Sequence, residues 1–211
     1  YAAAAASFQC IEPLALPAAF DGSRGFYSIL VARADGPITS LASADGARLA
    51  LSGEDSVAGR LLPLKGFAAN GIDPATYFST IVKEDSPAAA LSALTAGSVD
   101  LAAAWSSLAG DAATGYSFGA LAQMARTGSL AMDQVRVVWQ SDLVPFGPHA
   151  VRKDMPEELK TLLLSALTGM SAEAPDALDA VDPSGIGGGG FVAATPADYD
   201  TVAALVAGSG N

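Results

Sequence analysis

Between Arg48 and Leu64 the chain reads RLALSGEDSVAGRLLPL, and the change of character inside these residues narrows the fold more than any other stretch. Leu49–Leu51 is a short apolar strand. Ser52-Gly53-Glu54-Asp55 is a polar break. From Ser56 the pattern resumes as the first turn of a helix, with Gly59 allowing close approach of another group. A strand followed by a small-residue loop and a helix start is the kind of strand–helix alternation from which an α/β fold is read. It is also a ready anion site, because the first N–H groups of a helix have no partner and the helix dipole leaves partial positive charge there. The alternative is an ordinary connection in which Ser56 or Asp55 caps the helix.

The rest of the chain continues that alternation. Tyr1–Phe8 reads as an Ala-rich helix and Cys10–Leu16 as an extended run punctuated by Pro13 and Pro17. Phe26–Ala34 is aromatic and β-branched enough for a strand. Ile38–Asp45 is a short helical turn. Ser56–Asn70 should be helical, with a kink or a short first segment at Pro63. Tyr77–Val82 is a strand. Ser86-Pro87 opens the next helix with a Ser cap and Pro in the first turn. Val99–Trp105 suits a strand buried on both faces. Gly115–Thr127 is expected to be helical, and Gln134–Gln140 alternates as a strand. Asp142–Arg152 is extended. Pro156–Met170 is an amphipathic helix with Leu159, Leu162, Leu163, Ala166 and Leu167 on its inner face. Ser184–Gly190 is a glycine loop, and Thr195–Asp198 forms a capping box for the last helix. This order predicts an α/β fold with a mostly parallel sheet.

Composition removes several function classes. Of 211 residues, 22 are acidic and 11 basic, a net charge of −11, which argues against a nucleic-acid surface. There is no unbroken apolar run of the roughly 18 residues a membrane helix needs. The single cysteine, Cys10, excludes an internal disulfide or a cysteine metal cluster and is expected to be a small buried hydrophobe. His149 is the only histidine, so no His-rich metal site is expected. No cofactor motif is recognisable. The opening YAAAAASF is not a recognisable signal peptide and reads like the inside of a helix, so the sequence is expected to be a fragment lacking its true N-terminus.

Two patterns resemble catalytic or cofactor motifs. GYSFG, Gly115–Gly119, matches a nucleophile elbow, and Ser117, an intervening Asp133 or Asp142, and His149 follow the order of a hydrolase triad. The residues before it, AGDAAT, are not a strand, which the elbow requires. GIGGGG, Gly185–Gly190, contains a dinucleotide-type spacing but follows no strand and opens no helix. Asp100 reads as a hydrogen-bonded strand-end residue, and Trp105 and Trp139 read more readily as core than as ligand platforms.

The segment FYSILVARADGPITSLASADGARLALSGEDSVAGRLLP resembles the periplasmic phosphonate-binding proteins of ABC transporters, within the phosphate/phosphite/phosphonate-binding family. AGSVDLAAAW, GYSFGALAQMARTG, VRVVWQSDLVPFGPHAVRKDMPEEL and GFVAATPADYD agree in the same order. The resemblance implies a type II periplasmic-binding-protein fold: two α/β lobes joined by a hinge, with a ligand trapped between them. It implies that 37–141 is a complete lobe carrying the anion-binding helix start, and that 1–36 and 142–211 are parts of an incomplete second lobe with the hinge strands. It implies ligand contacts from Tyr1, Tyr27, Ser56, Val57, Ala58, Gly59, Ser86 and Trp105. Asp142, with Glu54 and Asp55, is a candidate partner for an ammonium group, which would suit an aminoalkylphosphonate such as 2-aminoethylphosphonate. Where the family has S-T-S-G, this chain has Ser56, Val57, Ala58 and Gly59, so two hydroxyl donors are absent. Ser86-Pro87 stands where the family often carries a histidine. The expected partners are a small anion and an ABC permease, the expected location is periplasmic, and no cofactor or enzymatic activity is implied. A serine hydrolase and a sensor-type domain for another small anion are the alternatives.

Overall fold

The computed structural model describes residues 1–182 and 188–208. In chain order the elements are α1 (Ala2–Phe8), β1 (Ile11–Ala19), β2 (Gly25–Arg33), β3 (Arg48–Leu51), α2 (Leu62–Ala69), α3 (Pro74–Tyr77), β4 (Thr80–Lys83), α4 (Pro87–Thr95), β5 (Leu101–Ser106), α5 (Ala120–Arg126) and β6 (Val135–Gln140). They continue with β7 (Val144–Pro145), β8 (His149–Arg152), α6 (Glu157–Glu173), α7 (Pro175–Val181), β9 (Gly188–Ala193) and α8 (Asp200–Gly208). The chain divides into two compact units, Phe26–Leu143 and Tyr1–Gly25 with Val144–Asn211. The larger unit starts at Phe26 rather than Pro37 because β2 lies inside its sheet, between β5 and β6.

In Phe26–Leu143 the strand order is β4-β3-β5-β2-β6. β3 runs parallel to β4 and β5, whereas β2 is antiparallel to β5 and β6. The sheet is therefore mixed, not mostly parallel. Strand alternation sends side chains to two cores. Ile29, Val31, Ala102 and Ala104 meet Leu91 and Leu94 of α4 and Leu121 and Met124 of α5. Leu30, Ala32, Leu101 and Ala103 meet Phe67 of α2 and Phe78 on the other face. The alanines of β5 are wholly buried and let helices close on both sides of a central strand. At the start of the parallel strands, Arg48 forks onto Asp100 (Nε–Oδ2 2.9 Å, Nη2–Oδ1 2.8 Å), and the Arg48 N–H adds a third bond to Oδ2 at 3.0 Å. Asp100 is thus the strand-end residue that the sequence suggests.

Two local expectations change. Tyr77 ends α3 and the strand begins only at Thr80. Gly115–Gly119 is a loop: Gly115 ends a 3-10 turn (Ala112–Thr114), and helix starts at Ala120. Gly119 lies at φ +124°, and a Cβ there would stand 2.6 Å from the Trp105 carbonyl oxygen, so the backbone pairing of Ser106 with Gly119 requires glycine.

In the second unit, β1 lies between β8 and β9, antiparallel to both. It runs on through Pro17 to Ala19, and the register shifts after Pro13 and after Pro17, which is how an inner strand accommodates residues without an N–H. Cys10 is exposed, not buried, at the mouth of this strand, where its carbonyl accepts from the Lys153 N–H. α6 packs on β9 and β1 with Leu164, Leu167 and Met170 facing Ala15, Leu178 and Phe191. Leu159 (43% exposed), Leu162 (66%) and Ala166 face solvent instead of the interior. The helix is turned so that Lys160 is buried, its Nζ held by Glu12 (2.7 Å), Glu157 (2.6 Å) and the Lys153 carbonyl (3.0 Å). The expected loop at Ser184–Gly190 lies outside the described residues except for Gly188–Gly190, which belong to β9.

Candidate functional site

The parallel strands β3, β4 and β5 end along one edge of the sheet in Phe26–Leu143, and the carboxyl ends of parallel strands are where α/β folds hold ligands. Ser52, Ser86 and Ser107 follow β3, β4 and β5 there. The antiparallel β2 begins at the same edge, since Tyr27 pairs with Ser106 and Ser28 with Trp105.

The polar break ends at Ser56, which caps the helical run: its Oγ accepts from the Gly59 N–H at 3.1 Å. Val57–Leu61 forms a turn of π-helix, in which the Ser56 carbonyl accepts from both Arg60 and Leu61 N–H at 3.0 Å. The turn runs directly into α2, with Pro63 in the first turn of that α-helix. The wider coil is thus where the chain absorbs Pro63, whose ring and missing N–H are harmless at a helix start. The N–H groups of Val57 and Ala58 head this run and by position have no carbonyl one turn behind.

Three serines hold the turn. Ser28, wholly buried on β2, donates from Oγ to the Ala58 carbonyl at 2.6 Å. The Ser52 N–H donates to the Gly59 carbonyl at 2.9 Å, so the end of β3 clasps the turn. The Ser52 side chain lies against Gly59: a Cβ on Gly59 would be 2.3 Å from Ser52 Oγ and 2.8 Å from Ser56 Oγ. Glycine is required there for space. Ser52 is 2% exposed, and its Oγ has no hydrogen-bond partner among the described residues. Neither Ser52 nor Ser28 is among the site residues the sequence suggests. For Ser28 a signal existed in the Tyr27-Ser28 strand start; for Ser52 the only signal was a hydroxyl directly after a strand.

The structure distributes the sequence-selected residues as follows. Ser56, Val57, Ala58 and Gly59 form the turn itself. Tyr27 alternates away from it, packing on the α4/α5 core, and its neighbour Ser28 makes the contact. Ser86 caps α4 by accepting from the Ala89 N–H at 3.1 Å. Trp105 is half-buried, edge-on to Phe26 at 5.5 Å and tilted to Phe118 at 6.2 Å. Asp142 is exposed, next to Ser141, which both donates to the Ser28 carbonyl and accepts from the Ser28 N–H. Glu54 and Asp55 are exposed, and Glu54 lies 3.6 Å from Lys83 Nζ at the end of β4. Tyr1 belongs to the other unit, where its ring meets Tyr199 edge-on at 4.8 Å. Burial, with the Glu12 carboxylate second, pushes the Tyr1 phenol upward. Burial likewise raises Tyr199, whose hydroxyl donates to the Phe146 carbonyl at 2.7 Å.

The hydrolase constellation is not assembled as an elbow. Ser117 follows a 3-10 turn, and its Oγ donates to the Ala109 carbonyl at 3.2 Å. His149 belongs to the other unit and packs edge-on against Phe191 at 4.9 Å.

A family model described as an ABC transporter phosphonate periplasmic substrate-binding protein matches residues 1–199. Among solved structures, a binding component of an ABC phosphonate transporter from Pseudomonas aeruginosa is 23% identical, with a TM-score of 0.63 over 95% of this chain. The chain spans 63% of that protein's length. XAC2383 from Xanthomonas citri, solved with ATP, is 23% identical with a TM-score of 0.69, over 98% of this chain and 74% of its own. PhnD1 from Prochlorococcus marinus, solved with methylphosphonate, is 15% identical with a TM-score of 0.57, again over 98% and 74%. The likeness fixes the fold as that of the type II periplasmic binding proteins.

Proposed function

The chain belongs to the phosphonate-binding family of periplasmic ABC-transporter substrate-binding proteins, and from that membership we propose that it captures a phosphonate-like anion for an importer. The family is one of substrate-binding proteins, not enzymes, and the Ser117 reading is set aside with it. The observation that carries the proposal is the turn at Val57–Leu61: two leading N–H groups at the carboxyl end of a parallel strand, with Ser56 as cap. Backbone donors and the dipole hold an anion without the hydroxyls that Val57 and Ala58 lack. Gly59, Ser86, Trp105 and Asp142 complete the set we assign to the ligand; Tyr27, whose ring turns to the α4/α5 core, is left out of it. An ABC permease is the partner and the periplasm the location that this reading entails.

A zwitterion such as 2-aminoethylphosphonate fits the surroundings better than phosphate. Lys83 engages Glu54, and we assign the exposed carboxylates of Asp55 and Asp142 to an ammonium group. Titration calorimetry with phosphate, phosphite, methylphosphonate and 2-aminoethylphosphonate tests this. Binding is expected for the phosphonates, tightest for the amino compound. Equal or absent binding of the amino compound removes the zwitterion reading, and absence of all binding removes the anion reading.

A further inference from the structure

Among the described residues of this region, the Ser52 hydroxyl is a buried side-chain group without a hydrogen-bond partner. A buried hydroxyl without a partner carries a desolvation cost, and a folded chain ordinarily removes it by bonding or by substitution with an apolar residue. Here the neighbouring hydroxyls are committed: Ser28 Oγ to the Ala58 carbonyl and Ser56 Oγ to the Gly59 N–H. Ser52 Oγ lies on the bare Cα of Gly59, the third residue of the run whose first two N–H groups are open, and its residue is bonded to the turn through the backbone. The absence of a Cβ on Gly59 is what lets the Ser52 side chain sit against the turn. The turn meanwhile has Val57 and Ala58, side chains that donate nothing.

We propose that Ser52 is a ligand-dependent donor of this anion site: its hydroxyl turns, by rotation about the Cα–Cβ bond, to donate to an oxygen of the tetrahedral anion held by the Val57 and Ala58 N–H groups. A serine has three staggered positions to choose from, so the change needs no backbone movement of its own. Ser52 then supplies, from the strand side, a hydroxyl that Val57 and Ala58 do not. The ligand class is a tetrahedral oxyanion with at least one unesterified oxygen, either phosphate or a phosphonate. The inference rests on the anion reading of the preceding section.

The test pairs two measurements on the full chain and on Ser52→Ala. Removing an unpartnered buried hydroxyl leaves the anion-free protein as stable as before, or slightly more so, by thermal unfolding. Affinity for methylphosphonate and phosphate, by titration calorimetry, falls about tenfold to a hundredfold, the size of a lost hydrogen bond to a charged oxygen. A Ser52→Cys chain, with nearly the same shape and a weak donor, shows the same direction and guards against a folding artefact in the alanine variant. Unchanged affinity in both variants overturns the role of Ser52 and leaves the anion site standing. A drop in unfolding temperature that accompanies unchanged affinity assigns Ser52 a structural role and also overturns it. Failure of the unaltered chain to bind either anion overturns the anion site itself, and Ser52's role with it.

Discussion

Asp100 ties two strand starts together at the edge of the sheet opposite the Val57–Leu61 turn. Three donors from Arg48 reach its carboxylate, and the guanidinium hydrogen bonds hold its pKa below the usual carboxylate range, outweighing partial burial, which acts the other way. The sign of the pH effect follows. A carboxylate with a depressed folded-state pKa contributes stability that is complete above its unfolded value, about 3.9, and is lost as pH falls through the lower folded value. Asp100→Asn therefore lowers the urea midpoint at pH 7, yet its stability declines less than that of the unaltered chain on going from pH 5 to pH 2.5. Urea titrations across that range, followed by circular dichroism, check it. Parallel curves for the two proteins would show that the Arg48–Asp100 fork contributes nothing that depends on ionisation.

Helix α6 shows what a sequence pattern does and does not determine. Its existence and first turn are readable from Glu157, Glu158 and the apolar repeat, as are α4 from Ser86-Pro87 and the last capping box from Thr195 and Asp198. Its rotation is not. Three consecutive leucines, Leu162–Leu164, fit two stripes a hundred degrees apart, and the choice is made by Lys160, whose ammonium group is drawn inward by Glu12 of β1, far away in sequence. The same limit applies to the site. The strand, the polar break and the Ser56 cap are local and legible; the π-turn's clasp by Ser28 and Ser52 depends on sheet register and is not. Gly59 was visible as a small residue, but its reason, the Ser52 side chain, was not. The rotation of α6 predicts that Leu164→Ala costs about 2 kcal/mol, at the low end for a large-to-small change because Leu164 is only half-buried. Leu162→Ala should cost under about 0.5 kcal/mol, as expected for an exposed position. Chemical denaturation of both variants checks the pair, and the reverse order would return the helix to the orientation read from sequence alone.

At the scale of the molecule, two units of different build share one chain that passes between them twice, after Gly25 and after Leu143. The larger is a mixed sheet with two cores; the smaller is a three-stranded antiparallel sheet under α6. Such units need not share one stability, and a ligand stabilises only what its binding requires to be folded. The Val57–Leu61 turn is clasped by β2 and β3 and packs against β5, the central strand of the larger sheet. Opening the turn therefore breaks bonds to strands that carry both of that unit's cores. Saturation with methylphosphonate at about a hundred times the dissociation constant adds about 2.7 kcal/mol to openings that release the ligand. Amide hydrogen exchange resolves where this goes. Slowing by about a hundredfold is expected in Leu49–Leu51, Val57–Leu61 and Leu101–Ser106, the residues whose exchange demands loss of the turn or of the strands that hold it. Protection that appears only outside Phe26–Leu143 would place the anion elsewhere, because a ligand held by Val57 and Ala58 cannot leave the exchange of its own donors unchanged.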